Sequence, residues 1–262
     1  MIKLLISDLD HTLLKHENGS CYIKETDCQA LALLKQNNIR FMVASGRNYG
    51  FVKDYLNQYG LNGDIIGANG ATAFIDQQLV ISHLVDNQGL KMIFDYVVAN
   101  YPKIYMKVST PDNLEYRYDT LESVYPDDNN SNISLADFLQ RSLIMVNRFV
   151  VACDSDILFS QIQADLKLRF GMYFEFNQSA KNLMDITPKG VDKGTTVLEV
   201  IKLLGYRPHE VAAIGDSYND ISMLQAVGLS FAMRSGEKIT QMVADHVVND
   251  VAEAITMIIE NA

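Results

Sequence analysis

Short apolar runs of strand length alternate with amphipathic helical patterns at both ends of this chain, and that alternation admits few folds. Ile2 to Ser7 reads as a strand and Glu25 to Asn38 as a helix with Ala30, Leu31, Leu33 and Leu34 on one face. Arg40 to Ala44 is a second strand, Gly50 to Tyr59 a helix and Asp64 to Gly67 a third strand. The pattern returns after residue 186: Lys193 to Leu204 helical, Val211 to Ile214 a strand, Asn219 to Val227 a helix, Leu229 to Met233 a strand, and a last helix from Val251 to Ile259. Short apolar strands alternating with helices predict a parallel sheet covered on both faces.

The middle of the chain has another character. Thr72 to Asp76 and Leu79 to His83 flank Gln77-Gln78 like a hairpin, and Ile104 to Val108 with Leu114 to Tyr118 flank Pro111-Asp112-Asn113. A polar loop, Asp127-Asp128-Asn129-Asn130-Ser131-Asn132, precedes the strand Val146 to Cys153, the helix Ile157 to Phe170 and the strands Tyr173 to Phe176 and Asn182 to Thr187. Hairpins mixed with helices predict an α+β insert at residues 82–185. Residues 1–81 and 186–262 then form one α/β, Rossmann-like core.

Charge narrows the function classes. With 32 acidic against 22 basic residues the formal net charge is -10, which disfavours nucleic acid or an anionic membrane as partner, since both need a basic face. Cys21, Cys28 and Cys153 are too few and scattered for a disulfide framework or a zinc site. The apolar N-terminal run is too short for a signal peptide, and no stretch approaches the roughly 20 apolar residues of a membrane span. A soluble, cytoplasmic protein is expected; oligomeric state is not read from the sequence.

In an open parallel sheet ligands sit beyond the carboxyl ends of the strands. The first strand ends there in Asp8-Leu9-Asp10-His11-Thr12, and one intervening residue of extended chain points Asp8 and Asp10 to the same side. Two carboxylates that close repel unless a cation or a shared proton offsets them, and magnesium, bound by oxygen, suits the task. The second strand ends in Ser45-Gly46-Arg47, a hydroxyl and backbone N–H groups ready for an anion, or an ordinary helix cap. Asn69-Gly70 follows the third strand, either as a plain turn or lining the site. Lys193 opens a helix, where a merely structural cation opposes the macrodipole; Lys189 reads as a solvated loop charge. Gly215-Asp216-Ser217-Tyr218-Asn219-Asp220 again places acids at a strand's carboxyl end. Nucleophile, proton shuttle, metal ligands and charge neutralisers together form the parts list of phosphoryl transfer.

On these four clusters the chain resembles the haloacid dehalogenase-like superfamily of phosphohydrolases, and within it the Cof-type branch (subclass IIB), whose α+β cap (type C2) is inserted between the second and third motifs. About 145 residues separate Arg47 from Lys193, where one strand–helix unit needs about 30. The resemblance implies Asp8 as nucleophile forming an aspartyl-phosphate, and Asp10 as the acid that protonates the leaving oxygen and the base that then activates water. It implies Mg²⁺ held by Asp8, the Asp10 main-chain carbonyl and Asp216, and a phosphoryl group bound by Ser45, Gly46 and Lys193. Asn219 would contact phosphate or hold Lys193, with Thr12, Arg47, Asn69 and Asp220 in support. His11 departs from the family's usual glycine, which tolerates backbone conformations that histidine accepts less readily.

The implied substrate is a small phosphorylated metabolite, either a sugar phosphate or a phosphorylated cofactor. Tyr101, Tyr105, Tyr116, Tyr118 and Tyr125 make the insert rich in tyrosine, expected mostly to pack on its sheet, with one or two free to stack on a ligand ring. A phosphomutase would use the same nucleophile, a signalling receiver would share the acids, hydroxyl and lysine without the insert, and a non-catalytic phospho-ligand binder is the third alternative.

Overall fold

The computed structural model describes residues 1–17, 19–111, 114–121, 134–142 and 144–260. The Asp112-Asn113 turn, the Asp127-to-Asn132 loop and Tyr125 lie outside the described residues. In chain order the first segment carries β1 (Leu4–Ser7), β2 (Leu14–Glu17), β3 (Ser20–Ile23), α1 (Glu25–Gln36), β4 (Arg40–Ala44), α2 (Tyr49–Gln58), β5 (Asp64–Gly67), β6 (Thr72–Ile75) and β7 (Gln78–Ser82). The middle carries α3 (Asn87–Asn100), β8 (Tyr105–Ser109), β9 (Glu115–Asp119), α4 (Leu135–Phe138), β10 (Arg148–Ala152), α5 (Asp156–Phe170), β11 (Phe174–Ala180) and β12 (Leu183–Pro188). The last segment carries α6 (Lys193–Leu203), β13 (Val211–Gly215), α7 (Ile221–Gln225), β14 (Leu229–Met233), α8 (Lys238–Val243), β15 (His246–Val248) and α9 (Val251–Glu260).

Two compact units result: Met1–Val80 with Asp192–Ala262, and Ile81–Val191. The sequence placed the second junction at 185/186, inside β12, whereas that strand stays whole in the middle unit. A ladder strand is not divided because its backbone groups pair along their whole length.

The first unit is built on an eight-stranded sheet in the order β15-β14-β13-β1-β4-β5-β6-β7. The pairs from β15 to β5 are parallel, and β6 runs antiparallel to β5. Leu5, Val43, Ile65, Ala212 and Ile214 pack with α1, α2 and α9 in one core, while their neighbours Leu4, Ile6, Met42, Ala44 and Ile66 are buried on the other face. Burial on both faces is why these strands read as unbroken apolar runs.

In this unit β2–β3, α8 and β15 were not expected from the sequence, and one helix is shorter than expected. The hairpin β2–β3 carries Lys15, His16 and Glu17, a stretch with no apolar alternation to announce it. The helix expected from Asn219 to Val227 is a 3-10 turn, Tyr218–Asp220, followed by the short α7.

The middle unit is a five-stranded sheet, β11-β12-β10-β8-β9, antiparallel throughout. Met106, Val108, Phe149, Val151, Met184 and Ile186 line one face and pack with α3 and α5. The cross-strand register puts Asn177, Asp185, Val150, Lys107 and Arg117 in a row on the opposite face. That face carries the ion pairs Arg148–Asp185 (2.6 Å) and Lys107–Glu115 (2.8 Å). The tyrosines are mostly packing residues. Tyr116 stacks on Phe138 at 3.9 Å, Tyr118 meets Phe94 edge-on, Tyr105 is buried, and the Tyr101 hydroxyl donates to Asp165. No helix among the described residues is long and apolar enough to cross a membrane.

Candidate active site

The four strands at the centre of the parallel sheet, β13, β1, β4 and β5, are adjacent and run the same way. Their carboxyl ends therefore deliver Asp216, Asp8, Ser45 and Asn69 to one edge. Asp8 is fixed there through its backbone N–H, which donates to the Ile214 carbonyl at 2.9 Å.

Lys193 reaches the same edge from the start of α6. Asp192 caps that helix, accepting from the Thr195 N–H at 2.8 Å while its own N–H donates to the Thr195 hydroxyl. Lys193 is buried, and its Nζ donates to Asp8 Oδ1 and to Asp220 Oδ1, both at 2.6 Å. Two carboxylates thus compensate the cation that the helix N-terminus disfavours. Asp220 spends its other oxygen, Oδ2, on the backbone N–H groups of Asp216 (2.9 Å) and Ser217 (3.0 Å), so it fixes both the loop and the lysine. Thr12 donates its hydroxyl to Asp216 Oδ1 at 2.8 Å.

Each of Asp8, Asp216 and Asp220 offers a carboxylate oxygen within 4.8 Å of the others, all buried. Three carboxylates share one lysine, an excess of negative charge. Burial first, then the Asp220 charge, hold the Asp8 carboxyl well above its usual range against the pull of Lys193. The same two causes push Asp216 up to about 6, offset in part by the Thr12 hydrogen bond. Burial alone would lower Lys193, but Asp220 and then Asp8 raise it, so it stays cationic. A clustered set of hard oxygen donors with too much negative charge fits a divalent cation.

Asp10 stands outside that trio. Arg47 grips its carboxylate with two bonds, Nε to Oδ2 and a terminal nitrogen to Oδ1, each 2.8 Å, and His16 Nε2 lies 2.9 Å from Oδ1. Burial would raise the Asp10 carboxyl, yet Arg47 and then His16 bring it below its usual value. The Asp10 side chain is thus engaged by Arg47 and His16, and the expected metal contact was in any case its main-chain carbonyl.

The remaining expected residues sit as follows. Ser45 does not cap α2, because Asn48 does, accepting from the Phe51 N–H at 3.0 Å. The Ser45 hydroxyl, buried, accepts from the Arg47 N–H at 3.1 Å. A side chain at Gly46 would press on the Asn69 amide at 3.2 Å. Asn69 occupies a left-handed turn (φ 53°) and accepts from Asn219 Nδ2 at 2.9 Å, so Asn219 holds Asn69 rather than Lys193. Gly70 at φ 100° has no room for a Cβ, which would collide with the Asp192 carbonyl. His11 does adopt the left-handed conformation (φ 65°) that glycine would take more readily. His16 was not anticipated, because nothing in the sequence marks a hairpin histidine as a neighbour of Asp10.

A cavity of about 520 Å³ opens at the other end of the sheet, where β4 and β5 begin, lined by Leu34, Lys35, Phe41, Tyr49 and Asp64 among others. It holds none of the motif residues. The chemistry gathers at the opposite edge.

The fold and this edge define an α/β enzyme of the phosphoryl-transfer kind. Residues 5–258 match the family described as haloacid dehalogenase-like hydrolase, and the chain belongs to that family. A 5-amino-6-(5-phospho-D-ribitylamino)uracil phosphatase of Bacillus subtilis strain 168 is 26% identical over 259 residues, covering 89% of this chain and 88% of that protein. A phosphatase of the same description from Escherichia coli K12 is 27% identical over 252 residues, covering 89% and 86%. A solved HAD subclass IIB sugar phosphatase superposes with a TM-score of 0.82 at 18% identity, covering 98% of each chain. The enzyme class is phosphoric monoester hydrolase, as the resemblance implied.

Proposed function

We propose that the chain hydrolyses a small phosphorylated metabolite, with Asp8 attacking phosphorus to form an aspartyl-phosphate and water then releasing phosphate. The observation that carries this reading is the Asp8–Lys193 contact at the carboxyl edge of the sheet, within an otherwise anionic cluster. Lys193 aims Asp8 and would neutralise an incoming phosphoryl oxygen. The Ser45 hydroxyl and the Gly46 backbone, in the turn after β4, would take further phosphoryl oxygens, as would Lys193. Asp10, whose carboxylate Arg47 and His16 hold ionised, would take up a proton from solvent as substrate binds, pass it to the leaving oxygen, and later take one from the attacking water. Asp8, Asp216 and the Asp10 carbonyl would hold Mg²⁺, which when bound supplies charge neutralisation and Lewis acidity at phosphorus. Residues 81–191, the inserted unit, would select the substrate. The relatives' names point to a phosphorylated ribitylamino-uracil or a sugar phosphate as the first compounds to try.

A screen of the purified chain against phosphorylated metabolites with Mg²⁺ tests the reading. Free phosphate should appear with at least one of them and stop in excess chelator. Release undiminished by chelation would sink the metal scheme, and an isomer without free phosphate would mean a mutase.

Metal binding should depend on pH in a direction that Asp216 sets. Burial and the Asp220 charge push its carboxyl up to about 6 in the folded chain, against 3.8 for an ordinary aspartate. Stability from this group in the metal-free chain is therefore present below about 3.8 and lost as pH rises through about 6. Asp216 would hold Mg²⁺ only as the deprotonated carboxylate, so binding would release the carboxyl proton. Calorimetric titration should show affinity weakening as pH falls through about 6, and a flat profile from pH 5 to 8 would contradict the assignment of Asp216 as a ligand.

A further inference from the structure

The hairpin β2–β3 brings His16 beside Asp10 and Cys21 beside His16, contacts that the four motifs do not explain. His16 Nε2 lies 2.9 Å from Asp10 Oδ1, and its other nitrogen, Nδ1, lies 3.1 Å from Cys21 Sγ on the facing strand. His16 and Cys21 are cross-strand partners in the hairpin register, so the contact is built into the pairing. The His11 ring lies against the His16 ring with centroids 4.5 Å apart. Tyr55 ties the hairpin down by donating its hydroxyl to the Cys21 carbonyl at 2.6 Å.

We propose that His16 is a positioning residue for the reaction: it holds the Asp10 carboxylate in one orientation, with Cys21 and His11 bracing its ring. The inference rests on the role proposed above for Asp10. A carboxylate only accepts hydrogen bonds, so Nε2 must carry the proton donated to Asp10. In the neutral ring Nδ1 is then the acceptor, and the Cys21 thiol is its donor. A second hydrogen bond that fixes tautomer and ring plane is the usual way a functional imidazole is held.

Arg47 holds both Asp10 oxygens from one side, its guanidinium 4.2 Å from the Phe51 ring. His16 approaches from a different element and adds a third bond, to Oδ1, that fixes the carboxylate from another direction. His11 acquires a reason as well: in place of a side-chain-free glycine, it gives the His16 ring a surface to lie on. An acid–base group needs heavy atoms within hydrogen-bond reach of the proton it moves, so its orientation enters turnover directly.

Two substitutions in the full chain, assayed with p-nitrophenyl phosphate and Mg²⁺, test the role. His16→Phe keeps a ring against His11 and removes the donor; His16→Gln returns an amide N–H to the position of Nε2. His16→Phe should lower kcat about tenfold with KM little changed, and His16→Gln should recover most of the loss. Wild-type kcat in His16→Phe would overturn the proposal, as would a Gln variant as slow as the Phe variant. Histidine ¹⁵N spectra give a reading that does not depend on turnover. His16 should appear as the Nε2–H tautomer in the wild type and become mixed in Cys21→Ala, whereas an Nδ1–H ring would overturn the proposal. A wild-type chain inert toward every phosphorylated compound refutes the phosphatase reading instead, since the tautomer still reports where His16 points.

Discussion

Replacing Asp8 with Asn should lower kcat for phosphate release by about 10⁴-fold or more while the chain stays folded. Losses of this order follow when the residue that forms the covalent intermediate is removed from a unit that works together. The amide has the shape of the carboxyl but no nucleophilic oxygen anion. Stability should change little, because burial and Asp220 already push the Asp8 carboxyl toward its neutral form, and Asn is neutral. Lys193 keeps Asp220 at 2.6 Å as its counter-charge. Phosphate release and thermal unfolding on the same preparation decide the matter. Turnover within about tenfold of wild type would remove Asp8 from the role of nucleophile.

Lys193→Ala should damage both stability and turnover. The lysine is buried between Asp8 and Asp220, with Asp216 in the same cluster, and its removal leaves three carboxylates with no cation among them. Breaking a buried ion pair from one side costs about 3–5 kcal/mol, because the partner charge stays desolvated. At about 2–4 °C per kcal/mol for a chain of this size, Tm should fall by about 10 °C near pH 7.5. The deficit should shrink toward pH 5, where Asp216, already raised to about 6, takes a proton. Lys189→Ala supplies the contrast: that lysine is half-exposed and pairs with Glu175 at 2.9 Å, so its loss should leave both readings near wild type. Scanning calorimetry with and without Mg²⁺ checks the first part and phosphate release the second. Equal Tm values for the two alanine variants would show that the buried cluster does not depend on Lys193.

The parallel core was legible because its strands are buried on both faces, so each appears as an apolar run that stops at a polar functional turn. Ser7-Asp8, Ala44-Ser45 and Gly215-Asp216 mark such stops in the linear text. Elements with one wet face or little apolar content were harder. Helix α3 escaped notice although Leu90, Ile93, Phe94 and Val97 form its buried stripe, and β2–β3 carries polar residues on a two-stranded ribbon. The helix after Asp216 was drawn too long, since Asp220 turns its side chain back to the loop's own N–H groups and interrupts the regular ladder.

The linear order of residues determined which chemistry the chain carries and at which edge it collects, because strand polarity and the position of a residue after its strand are local properties. It could not decide which charges pair. Lys193 meets Asp8 across 185 positions of sequence, Arg47 takes Asp10, Asn219 takes Asn69, and His16 completes a contact that no motif announced. Those choices, and the protonation states that follow from them, belong to the tertiary structure. Interactions between charges depend on separations of a few ångströms and on the water excluded between them, and only the packed sheet sets either.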